Sequence, residues 1–160
     1  LISGVFVLFL TLLCFFQIGT WQNQHSVFSR VLELQGPNNK AHVHLMHYYQ
    51  RHGALAKAES HAHAAIALQP RRSDGFQALG NIALTRNQYS KAEEYYRQAL
   101  QRGPVVGAVL NNLGIALAQQ GRQAEARRAF TEALRVDPAL EAARQNIQRP
   151  GTVPSAFDAE

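Results

Sequence analysis

Pro70, Pro104 and Pro138 stand 34 residues apart, and the residues between them recur at the same interval. With each unit counted as 34 positions, the registers start at Asn39, Ser73 and Gly107. Position 7 is then Leu45, Leu79 and Leu113, and position 8 is Met46, Gly80 and Gly114. Position 20 is alanine throughout (Ala58, Ala92, Ala126), as is position 27 (Ala65, Ala99, Ala133). Position 24 is Ala62, Tyr96 and Phe130. A fixed period with no insertion requires one supersecondary element used three times. Such an element cannot bury its apolar face alone and must stack on its neighbours.

Within a unit the apolar residues follow helical spacing twice over. In the second unit this predicts helices over Asp74 to Arg86 and Gln88 to Arg102. Small residues at positions 8 and 20 let two antiparallel helices approach, and bulky residues at positions 4, 7, 11 and 24 fill the flanking space. Alanine at position 27 admits the next unit. Proline falls where a helix has to stop, because it lacks an N–H and disfavours the α conformation of its predecessor. Gly53, Asn87 and Gly121 occupy the turns inside the units, where positive φ is needed. The pattern resembles the tetratricopeptide repeat. That resemblance implies an all-α fold, a right-handed solenoid of helix pairs that binds proteins along a groove.

The predicted organisation is a half-repeat at 21–38, units at 39–72, 73–106 and 107–138, a capping helix at 139–149 and a disordered tail at 150–160. The first unit is the least regular. His42 replaces the bulky residue of position 4, Met46 the glycine of position 8 and Ala62 the aromatic of position 24. Looser packing is expected there.

Leu1 to Ile18 contains no charged residue, and its apolar residues would surround a helix on all sides. Eighteen residues reach roughly 27 Å, about the hydrocarbon thickness of a bilayer, and Trp21 follows as an interfacial anchor. Residues 1–20 are therefore predicted to be a transmembrane helix. Only Arg30 is basic between this stretch and residue 39, which places the repeats on the extracytoplasmic side, periplasmic in a bacterium. Trp21, Val27-Phe28, Val31-Leu32, Pro37 and Asn38-Asn39 are similar to the junction in multi-span membrane proteins related to protein O-mannosyltransferases. That weaker resemblance implies that the chain is the non-catalytic end of a larger membrane enzyme.

The net charge of +5 comes from 13 arginines against 3 lysines, dispersed along the chain as a solvated surface. No nucleic-acid module, phosphate loop or nucleophile elbow is present, so neither nucleic acid nor catalysis is expected. The single cysteine, Cys14, excludes an intrachain disulfide. All seven histidines lie between His25 and His63. They read as unrelated surface or half-buried side chains, a pH-responsive partner surface, or metal ligands, for which His44 and His47 have helical spacing. Neither a metal nor another cofactor is expected.

The resemblance implies a groove lined by positions 2, 5, 9, 12 and 13 of each first helix. These are Lys40, Val43, His47, Gln50 and Arg51 in the first unit. The second gives Asp74, Gln77, Asn81, Leu84 and Thr85, and the third Ala108, Asn111, Ile115, Ala118 and Gln119. Val43 and His47 stand where the family's carboxylate clamp has lysine and asparagine, so that specialised role is not expected. The functional expectation is a membrane-anchored scaffold for protein partners, a subunit or assembly factor of a membrane complex.

Overall fold

The computed structural model describes residues 24–148, all of whose regular structure is helical. The helices are α1 (Gln24–Gln35), α2 (Asn39–Arg51), α3 (Leu55–Leu68), α4 (Asp74–Thr85), α5 (Tyr89–Arg102), α6 (Gly107–Gln119), α7 (Gln123–Val136) and α8 (Glu141–Gln148). Consecutive helices pack on one another in chain order, as a solenoid requires. The backbones of the alternate series α2, α4, α6 and α8 also come close to each other in sequence, whereas those of α1, α3, α5 and α7 do not. The first helices of the pairs therefore lie on the inside of the curve.

The turns inside the three pairs are built alike. Gly53, Asn87 and Gly121 have φ of 69°, 57° and 80°. The following amides of Ala54, Gln88 and Arg122 donate back to the carbonyls of Tyr49, Ala83 and Leu117 at 2.9, 2.8 and 3.0 Å. This is the Schellman closure, in which one left-handed residue lets the helix satisfy its last carbonyls.

Inside each pair the small residue of position 8 faces the ring of position 24. A Cβ added at Gly80 would lie 2.6 Å from the Tyr96 ring, and one at Gly114 would lie 2.5 Å from the Phe130 ring. The first pair solves the same contact in reverse. Met46 and Ala62 are both fully buried, joined with Ala78 and Leu79 in one apolar cluster. The large side chain has moved to the opposite helix, so this contact is filled.

An ion-pair network ties the second pair to the third. Glu93 accepts from Arg97 at 2.8 Å, from Arg122 at 2.6 Å and from Gln120 at 2.9 Å. Partial burial pushes the Glu93 carboxyl up, but the bonds from Gln120, Arg122 and Arg97 outweigh it and hold it below the usual range.

The predicted transmembrane helix at 1–20 and the tail at 150–160 lie outside the described residues. Among the described residues, no helix is long and apolar enough to cross a membrane.

Candidate functional site

The first helices present the predicted groove residues unevenly. On α2, Lys40, His47 and Arg51 are exposed and Val43 and Gln50 half-buried. These residues recur at helical intervals, which brings them to one face. Neither Lys40 nor Arg51 takes part in any ion pair among the described residues. On α4, Asp74, Gln77 and Asn81 are half-buried and Thr85 is exposed. Asp74 is held by Arg72 at 2.7 Å. Gln50 reaches from α2 to donate to the Ala78 carbonyl of α4 at 3.2 Å, fixing the spacing of the two helices.

Farther along, the expectation needs correction. Leu84, Asn111, Ile115 and Ala118 are buried, and only Ala108 and Gln119 remain exposed on α6. Leu84, Ile115 and Ala118 belong to the main apolar cluster. First helices approach each other on the inside of the curve, so their flanks seal together and cannot all face a ligand.

Asn111 is covered by α8, whose Asn146 donates to it at 2.9 Å, both side chains being buried. Asn112 donates to Asn81 at 3.1 Å, and the Tyr96 hydroxyl donates to the same Asn81 oxygen at 2.8 Å. Burial pushes the Tyr96 phenol well above its ordinary value. These amides hold first helix to first helix rather than waiting for a peptide. Sequence reasoning missed Asn112 and Asn146, although Asn146 follows Asn112 by 34 residues and so shares its register.

The Asn81 bonds carry a consequence for stability. Asn81→Ala leaves the Tyr96 hydroxyl and the Asn112 amide without their acceptor and is expected to cost about 1–3 kcal/mol in urea denaturation. A loss under about 0.5 kcal/mol would show that water replaces the asparagine at no cost.

The two histidines read as metal candidates do not converge. His44 stacks on Phe28 of α1 with ring centroids 4.1 Å apart, while His47 is exposed. No group of three or more His, Cys, Asp or Glu able to hold a metal occurs among the described residues.

The family model of the tetratricopeptide repeat matches residues 78–146. Two curated relatives are photosystem I assembly proteins Ycf3. That of Cyanophora paradoxa is 37% identical over 78 residues, 47% of this chain and 45% of the relative. That of Dioscorea elephantipes is 32% identical over 88 residues, 48% of this chain and 51% of the relative. The chain thus spans about half the length of the curated relatives it matches.

Among solved structures, YrrB, a TPR protein with an unusual peptide-binding site, superposes with a TM-score of 0.70 at 18% identity, covering 75% of this chain and 62% of that one. MamA superposes with a TM-score of 0.69 at 18% identity, covering 75% and 70%. At these identities the likeness is one of fold.

The match to the photosystem I assembly proteins Ycf3 overturns the extracytoplasmic placement read from the lone basic residue Arg30. That reading used the charge on one side of the segment alone. The repeated helix pairs and their closing turns give the described residues an all-α repeat solenoid, and the family model of the tetratricopeptide repeat matches it over residues 78–146.

Proposed function

We propose that the chain is a non-catalytic assembly scaffold, which holds an extended segment of a partner protein against the open half of its concave face. The units at 39–72, 73–106 and 107–138 supply the rod, and α2 and α4 supply the contact wall. The observation that supports this reading is on α2, a helix of the inner series: Lys40, His47 and Arg51 are exposed at intervals that share one face, and α4, which packs on α2, keeps Thr85 exposed and Gln77 half-buried. Cations without ion pairs on an inward surface favour a partner segment bearing carboxylates, with the Gln77 amide available to its backbone. The match to assembly proteins supports a role in building a multi-subunit complex.

The test is site-specific photocrosslinking in the native cell, with the photoreactive residue placed at His47, Gln77, Arg127 or Arg128. Partner crosslinks are expected from His47 and Gln77, not from the exposed second-helix positions Arg127 and Arg128. Adding Lys40→Glu and Arg51→Glu should reduce the Gln77 crosslink about tenfold, by loss of two charge contacts. Crosslinks confined to α7 would remove the groove from the proposal.

A further inference from the structure

The first helix pair carries imidazoles where the other pairs carry apolar side chains. Positions 4 and 23 are Phe76 and Tyr95 in the second unit, and Leu110 and Ala129 in the third, Tyr95 half-buried and the other three buried. In the first they are His42 and His61, half-buried, with their Nδ1 atoms 2.9 Å apart. One nitrogen must donate and the other accept, so the bond holds when at least one ring is neutral. Two imidazolium ions at this distance would repel across a partly desolvated contact.

The surroundings offer no compensating charge. His61 stacks on Tyr49, with centroids 5.5 Å apart and planes 8° from parallel. The Tyr49 hydroxyl meets His25 Nε2 at 2.7 Å, and the His25 ring lies against Tyr48. Lys57 places its ammonium 5.3 Å from the Tyr49 centroid. The three helices hold only two carboxylates, Glu33 and Glu59, and these are paired with Arg30 and Arg86. Their remaining cations are Lys40 and Arg51. α1 packs on α2 and on no other described helix.

We propose that α1, α2 and α3 form an acid-labile segment, so that the solenoid opens locally from this end as the His42–His61 pair becomes doubly protonated, while α4 to α7 stay folded. Solenoid units unfold separately when one interface weakens, because each unit contacts only its neighbours. Burial lowers the affinity of both rings for protons, and at His61 the charges of His42 and His25 add to the effect. The sign follows. The unfolded segment binds protons more readily than the folded one, so stability is intact above the ordinary histidine value and falls below it. Because α2 carries Lys40, His47 and Arg51, the opening acts on the cationic wall of the concave face.

Hydrogen exchange of the full chain, compared at about pH 7.5 and about pH 5 after correction for intrinsic rates, reads this directly. Protection of residues 39–68 is expected to fall about tenfold or more on acidification, and that of 74–136 less than about twofold. Two double variants test the assignment: His42→Phe with His61→Tyr, which copies the second unit, and His42→Gln with His61→Gln, which keeps a hydrogen-bonded pair. Each is expected to abolish the difference while residues 39–68 remain protected at the higher pH. Uniform loss along the chain, no loss at the lower pH, or a local loss that persists in the variants would overturn the proposal.

Discussion

Gly114→Met is expected to destabilise the chain strongly on its own, and Phe130→Ala is expected to do the same, yet the double variant should recover much of the loss. A Cβ at position 114 already meets the Phe130 ring at 2.5 Å, and the rest of a methionine has no room. Overpacking of this kind costs about 1–3 kcal/mol or more. Removing the Phe130 ring costs about 3–5 kcal/mol, because the ring is buried and leaves a cavity. Together the substitutions reproduce the arrangement that the first pair uses, with Met46 opposite Ala62 and both fully buried. A double-mutant cycle in urea should therefore show a favourable coupling of about 2–3 kcal/mol. Additive losses would mean that the first pair reaches its packing by a different helix separation.

Deleting α8 by ending the chain after Pro138 is expected to lower stability by about 3–5 kcal/mol and to promote self-association. Ala143 is fully buried against Leu110 and Ala133, with Leu100, Leu134 and Leu140 around them. Removing the helix uncovers this apolar surface and leaves the Asn111 oxygen without the Asn146 amide. A terminal unit without its cap presents a stacking face to any other copy. Thermal denaturation with light scattering measures both effects. Asn146→Leu separates them, because it keeps the helix and removes only the buried bond. That single change should cost about 1–3 kcal/mol without self-association.

The proposed assembly role and the proposed acid-labile segment meet on α2. The same helix carries His42, which bonds to His61, and the exposed Lys40, His47 and Arg51 of the proposed contact wall. His42 meets the third helix while His47 is exposed, so one helix serves both proposals without conflict. The energetics differ accordingly. Exposed cations contribute through charge attraction and are screened by salt. The half-buried imidazoles contribute through hydrogen bonding in a site with less water.

The period of 34 was enough to determine the helix pairs, the turn residues with positive φ and the small-against-large contact inside each pair. These are local or nearest-neighbour properties, and a repeating sequence states them several times. Gly53, Asn87 and Gly121 stand in the same turn for the same backbone reason. The tertiary structure alone decided which inward positions stay open, because that depends on how far neighbouring first helices tilt together. Asn111 has the register of a groove residue but lies under α8, and Asn81 spends its oxygen on Tyr96 and Asn112. The pairing of His42 with His61 was equally hidden, since residues 19 apart on separate helices meet only after the turn at Gly53 has closed.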